Sequence, residues 1–207
     1  NPITHYWSHR AEGFAAQRVR EFYSEKRDRW LTEIRRYLPE GKTLRILDLG
    51  TGTGFFAFLL MAEGHQTVGI DLTPDMITQA KQMSEKLGLS PQFEVMDAEN
   101  PDFPPESFDV LITRNLTWTL PHVDRAYRVW YRILKKDGVF INFDADYCRA
   151  AETDTDEELP ENHAHKLVPE ILKSENDSIT MELSAYQEPR PQWDVQLLVE
   201  AGFERIS

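Results

Sequence analysis

The chain predicts an α/β fold, a mostly parallel sheet with helices on both faces. Two observations carry that reading. From Thr43 onward, short apolar runs alternate with amphipathic stretches, the pattern of parallel strands joined by helical crossovers. The first run, Arg45-Ile46-Leu47-Asp48-Leu49, empties into glycines at alternate positions, Gly50, Gly52 and Gly54, before an apolar stretch opens at Phe55. That is a strand, a glycine-rich turn and a helix start in one package. Glycine admits positive φ and lets a ligand approach the main chain. A helix start offers unpaired N–H groups to an anionic group. With 207 residues, 41% hydrophobic and 28% charged, the composition is that of one globular domain with its own core.

Residues 1–40 read as helical and end at Pro39-Glu40-Gly41. Phe14, Val19, Phe22, Tyr23, Trp30, Ile34 and Leu38 fall at helical spacing with charged residues between them, which suits a helical cover over the core. Tyr6 and Trp7, ahead of that amphipathic stretch, suit a lid over a bound ligand. The alternation then predicts strands at 45–49, 66–71, 92–96, 108–113 and 138–143. Helices are predicted at 55–63, 74–87 and 121–134. The second of these has Thr73 as N-cap, Pro74 at the first helical position and Gly88 as stop signal. Residues 193–201 form a last helix with Gly202 as its stop, and 204–207 open another strand.

In such folds ligands sit at the C-terminal ends of the strands. The first strand ends in Asp48 and the glycines, the second in Asp71, the third in Asp97-Ala98. Asp71 lies about 20 residues beyond the glycine loop, where a carboxylate can accept from ribose hydroxyls. Asp97 suits an adenine amino group. The glycine pattern is G-x-G-x-G, whereas a dinucleotide site wants G-x-G-x-x-G. Asp48 beside the loop would repel a pyrophosphate and suit an ammonium group. Ammonium, ribose and adenine in sequence describe S-adenosylmethionine.

Other totals exclude classes. A net charge of −12 disfavours a nucleic-acid backbone as partner. One cysteine, Cys148, builds no disulfide framework. No apolar stretch reaches the roughly 18 residues of a membrane span, and the first residues show no basic region followed by an apolar run. The expectation is a cytoplasmic protein with no membrane partner.

Four motifs in order resemble the class I S-adenosylmethionine-dependent methyltransferases. They are Leu47-Asp48-Leu49-Gly50-Thr51-Gly52-Thr53-Gly54, Val68-Gly69-Ile70-Asp71-Leu72-Thr73-Pro74-Asp75-Met76, Asp97-Ala98-Glu99, and Leu134-Lys135-Lys136-Asp137-Gly138-Val139-Phe140. Within that family the chain is most similar to the small-molecule group that includes the ubiquinone/menaquinone C-methyltransferases, also called methyltransferase type 11. The resemblance implies a Rossmann-like, mostly parallel seven-stranded sheet, its last strand absent from this sequence, with a helical cap. It implies one domain: a lid at 1–40, a cofactor-binding core at 41–147, a substrate cap at 148–192, and the last helix and start of the final strand pair at 193–207. An exposed sheet edge at that point would take a partner, a second copy of the chain included.

Residue by residue, the resemblance implies that Gly50, Thr51, Gly52 and Gly54 pass under the methionine part of S-adenosylmethionine. Asp48 lies near its amino group, Asp71 binds the ribose, and Leu72 and Met76 pack near the adenine. Asp97 and the Ala98 N–H meet the adenine, and Asn115 and Leu116 follow the methionine chain. Tyr6 closes over the cofactor as part of the lid. The family's usual L-K-P-G-G turn is here Leu134-Lys135-Lys136-Asp137-Gly138, a departure at the surface.

Methyl transfer from a sulfonium needs positioning and desolvation, and a general base only when the acceptor must lose a proton. Base candidates near the mouth are His122, Asp144 and Tyr147. Arg114, Trp118 and Asp146 are candidates for the acceptor pocket. Each has a plainer reading in packing, capping or a solvated surface. His163 and His165 lack a third convincing ligand, and no metal site is expected. The favoured reading is methyl transfer to a small-molecule acceptor, with S-adenosylhomocysteine as product. Alternatives are a protein or nucleic-acid methyltransferase, and a protein that binds the cofactor without turnover.

Overall fold

The computed structural model describes residues 2–144 and 188–207. The helical N-terminal stretch is two helices, α1 (Pro2–Phe22) and α2 (Glu25–Arg35). Ser24 makes the break. Its hydroxyl donates to the Glu21 carbonyl at 2.8 Å and accepts from the Lys26 N–H at 3.2 Å, ending one helix and capping the next. Then follow β1 (Arg45–Leu49), α3 (Phe55–Ala62), β2 (Gln66–Asp71), α4 (Pro74–Leu87), β3 (Gln92–Val95) and β4 (Phe108–Arg114). A short 3-10 turn (Thr117–Thr119), α5 (Val123–Ile133), β5 (Leu134–Phe143) and α6 (Gln192–Ala201) complete the described elements.

Among the described residues every strand pairing is parallel, and the order is β3-β2-β1-β4-β5. Among the described residues these strands represent the larger sheet that the resemblance implies. The connections run one way from β1 and the other way from β4, so a crevice opens at the C-terminal ends of that pair. One sheet face is covered by α1 to α4. There Phe55, Phe56, Phe58, Leu59 and Leu60 of α3 pack with Ile34, Ile46, Ile77, Phe93 and Val110. The other face is covered by α5 and α6 around Leu47, Leu111, Tyr127, Trp130 and Ile133. α3 is apolar all round because it lies between the sheet and other helices.

The departing segment Leu134-Lys135-Lys136-Asp137-Gly138 lies within β5 itself. Register shifts between Phe108 and Val110, and Asp137 takes φ 61, the left-handed geometry that glycine favours and aspartate tolerates. At 204–207, where a further strand is expected to open, none is paired among the described residues, and Arg205 takes φ 55.

Candidate functional site

The glycine loop stands at the crevice. Gly50, Gly52 and Gly54 all have positive φ, at 65°, 54° and 89°. The loop is seated on β2: the Thr51 N–H donates to the Ile70 carbonyl at 2.8 Å. This close approach needs a glycine opposite, since a Cβ at Gly69 would come within 2.6 Å of Thr51 Oγ1 and 2.8 Å of Phe93. Two side chains bound the space beside the loop. Leu116 lies against Gly50 and the Phe14 ring of α1 against Gly52, 2.8 Å and 3.3 Å from the Cβ each glycine lacks.

Asp48 does not face the mouth of the loop as the sequence suggested. It is buried, and its Oδ2 accepts from Thr51 Oγ1 at 2.6 Å and from the Ala57 N–H at 3.1 Å. The carboxylate thus ties the loop to the first turn of α3 from below. Burial pushes its pKa up to about 7, against the pull of those two donors and with repulsion from Asp71 adding to it.

Asp71 stands at the end of β2. Its Oδ2 accepts from the Gly52 N–H at 2.9 Å and its Oδ1 from the Thr73 N–H at 2.9 Å. Burial raises its pKa against those backbone donors. Thr73 caps α4 by position, without a side-chain cap bond, and Pro74 opens the helix as expected. Beside Asp71, Leu72 is open at 39% exposure while Met76 is buried. At the end of β3, Asp97 is exposed and its Oδ1 accepts from the Glu99 N–H at 2.9 Å. Ala98 is anchored, its carbonyl accepting from Trp130 Nε1 at 2.7 Å.

α1 reaches the loop through an aromatic series. Tyr6 is buried edge-on to Trp7 at 5.1 Å, and Trp7 is edge-on to Phe14 at 5.8 Å. Glu21 fastens the other end of the helix. It accepts from Arg18, from Trp30 Nε1 at 2.8 Å and from Arg114 Nη1 at 3.0 Å. Burial pushes Glu21 upward, but the Arg18 and Arg114 guanidiniums outweigh it and hold the carboxyl below its ordinary range. Arg114, expected at the acceptor pocket, thus lies over the Trp30 ring at 4.3 Å and pins α1 to α2 and β4.

Beyond β4, Asn115 takes φ 55 and its N–H donates to the Phe143 carbonyl at 2.9 Å. Trp118 Nε1 donates to the Asn115 carbonyl at 3.1 Å. Asp144, expected as a base, is held by donors: Thr117 Oγ1, the Trp118 N–H at 3.1 Å and Arg190 Nη1 at 3.3 Å. His122 is exposed at the start of α5, and its backbone N–H donates to Glu99. Tyr147, Asp146, Cys148, His163 and His165 lie outside the described residues, as does most of the cap segment. Among the described residues no group of His, Cys, Asp and Glu is arranged to hold a metal, and no helix is long and apolar enough to cross a membrane.

Several residues at the site carry no signal in the sequence. Phe14 reads only as one face of a helix, and nothing local marks Glu21, Thr117 or Asp194. Arg190 sits in the noted Glu188-Pro189-Arg190-Pro191 run, but its partners lie far away along the chain.

A family model described as a methyltransferase domain matches residues 40–194, most of the chain. The chain belongs to the methyltransferase domain family. A ubiquinone/menaquinone biosynthesis C-methyltransferase UbiE of Bartonella tribocorum is 26% identical over 170 residues, covering 79% of this chain and 65% of that protein. The methyltransferase-family chain therefore spans just under two thirds of that relative's length. A phosphatidylethanolamine N-methyltransferase of Cereibacter sphaeroides is 33% identical over 96 residues, 45% of this chain and 47% of that one. Among solved structures, a Pyrococcus horikoshii protein superposes with a TM-score of 0.57 at 26% identity, covering 65% of this chain and 69% of its own. A Haemonchus contortus phosphoethanolamine N-methyltransferase shares the fold, with a TM-score of 0.62 at 24% identity over 85% of this chain and 37% of its own.

Proposed function

We propose that the chain binds S-adenosylmethionine at the ends of β1, β2 and β3 and transfers its methyl group to a small-molecule acceptor. One observation carries the reading. Adjacent parallel strands end, side by side, in a left-handed glycine loop, in Asp71 and in Asp97-Ala98. The residues fit the group. The Asp71 carboxylate accepts two backbone N–H groups and the Thr73 side chain, which leaves acceptor capacity for a ribose hydroxyl. Exposed Leu72 offers an apolar surface to a flat ring, and Asp97 keeps an oxygen for an amino group. Phe14 and Leu116 bound the path over Gly52 and Gly50.

S-adenosylmethionine supplies an electrophilic methyl group on a good leaving group. The protein's work is then to orient the acceptor in line and to exclude water. Asp144 holds the wall of the site, because its carboxylate is occupied by Thr117, Trp118 and Arg190. The named relatives act on a carbon and on a nitrogen acceptor, and an acceptor of either kind on a small molecule suits this chain. The acidic net charge argues against a polyanionic substrate.

Calorimetry tests the cofactor half, with S-adenosylmethionine and S-adenosylhomocysteine run beside NADH. Both sulfur compounds are expected to bind, and Asp71→Ala to weaken them roughly ten- to a hundredfold, the worth of a charged hydrogen-bond acceptor. A folded wild type that binds NADH and neither sulfur compound overturns the reading.

A further inference from the structure

Arg190 follows the segment 145–187 in sequence, yet it meets residues that precede it. Its side chain is 4% exposed. Its fork grips Asp194 of α6, with Nε donating to Oδ2 at 2.7 Å and Nη2 to Oδ1 at 2.8 Å. Nη1 donates to Asp144 Oδ2 at 3.3 Å, at the end of β5, and Nη2 also donates to Thr117 Oγ1 in the turn after β4. Thr117 Oγ1 donates onward to the same Asp144 oxygen, and Asn142 Nδ2 donates to Thr117 Oγ1 at 3.3 Å. Tyr127 of α5 donates its hydroxyl to Asp194 Oδ1 at 2.7 Å. One guanidinium network therefore joins β5, the 3-10 turn, α5 and α6. The turn reaches the glycine loop through a side chain: Leu116, next to Thr117, lies against Gly50.

We propose that Arg190 is a positioning residue, holding the 3-10 turn and the end of β5 against the glycine loop so that the acceptor wall stays aligned with the methyl donor. It acts through Thr117 and Leu116. Its consequence for methyl transfer rests on the methyltransferase reading above; the contacts that make the clamp do not. The chemistry calls for arginine. A planar fork meets one carboxylate with two N–H groups and still has donors directed at Thr117 and Asp144, whereas a lysine ammonium is a single point of donation. A cation buried among carboxylates is a costly way to gain stability alone. In-line displacement is sensitive to shifts of about 1 Å in a supporting contact.

The test uses the full chain as wild type, Arg190→Lys, Arg190→Gln and Thr117→Val, each checked for folding by near-UV circular dichroism. Thr117→Val cuts the relay without removing a charge, so it decides the matter if Arg190→Gln does not fold. Two readouts are made: S-adenosylhomocysteine affinity by calorimetry, and amide hydrogen exchange along the chain. Each folded variant is expected to bind S-adenosylhomocysteine roughly tenfold more weakly and to exchange at least about tenfold faster at residues 115–119. Exchange in β2 stays as in wild type, and lysine does not rescue either readout. Folded Thr117→Val with wild-type affinity and wild-type exchange at 115–119 overturns the proposal and confines Arg190 to fastening α6. If wild type itself does not bind S-adenosylhomocysteine, the methyltransferase reading falls. Exchange then decides the clamp alone: faster at 115–119 supports it, unchanged overturns it.

Discussion

Asp48→Asn should remove one large component of the pH dependence of stability. The wild-type carboxyl is buried beneath the glycine loop and has a pKa pushed up to about 7, from an ordinary 3.8. Between those values the unfolded chain has released this proton and the folded chain still holds it. The folded state therefore binds more protons, and stability falls as pH rises. The contribution is fully present below about pH 4 and is lost as pH passes through about 7. A gap of about three pH units corresponds to roughly 4 kcal/mol at most. Asparagine keeps an oxygen for Thr51 Oγ1 and the Ala57 N–H and carries no titrating proton. The assay is urea unfolding followed by tryptophan fluorescence at steps from pH 4 to 8, with linear extrapolation. The stability of Asp48→Asn relative to wild type should rise by several kcal/mol over that range, and the variant should be the more stable protein at pH 8. Parallel profiles for the two proteins would refute the argument, because they would mean that Asp48 ionises in the folded state as it does in water.

Other predictions follow from single contacts. Gly54→Ala should cost about 2–5 kcal/mol in urea unfolding, from the left-handed backbone and from overpacking: φ is 89° and the new methyl would stand 2.6 Å from Phe93 and 2.7 Å from Phe58. Gly88→Ala is its control, at φ 64° with open space around it, and should cost only about 1–2 kcal/mol. Glu21→Gln should remove part of the acid sensitivity. The lowered pKa of Glu21 stabilises the fold above about pH 4.3 and is lost as pH falls further, so the variant's stability should decline less steeply below pH 4 in acid titrations of unfolding.

The architecture was legible because its signals are local. Alternating apolar runs place β1 at Arg45–Leu49 and β2 at Gln66–Asp71, and the Thr73-Pro74 start with the Gly88 stop bounds α4 at Pro74–Leu87. The glycine loop and the acidic strand ends follow from the parallel crossovers, whereas the order β3-β2-β1-β4-β5, which sets β4 beside β1, came from the tertiary structure. Side-chain direction is another matter. Asp48 reads in sequence as a carboxylate aimed at a ligand, and the fold turns it inward because the Thr51 hydroxyl and the Ala57 N–H lie beneath the loop. Arg114 reads as a pocket residue, and Glu21, brought back to it by α1, takes its charge instead. Asp144 reads as a base, and Arg190 makes it a strut. By itself the sequence determined the sheet, the helices and the row of strand ends, since periodicity and turn chemistry act between near neighbours. Only the tertiary structure decided which charges face a ligand and which face each other, because a buried charge takes the partner that folding brings within reach, and no spacing along the chain records that partner.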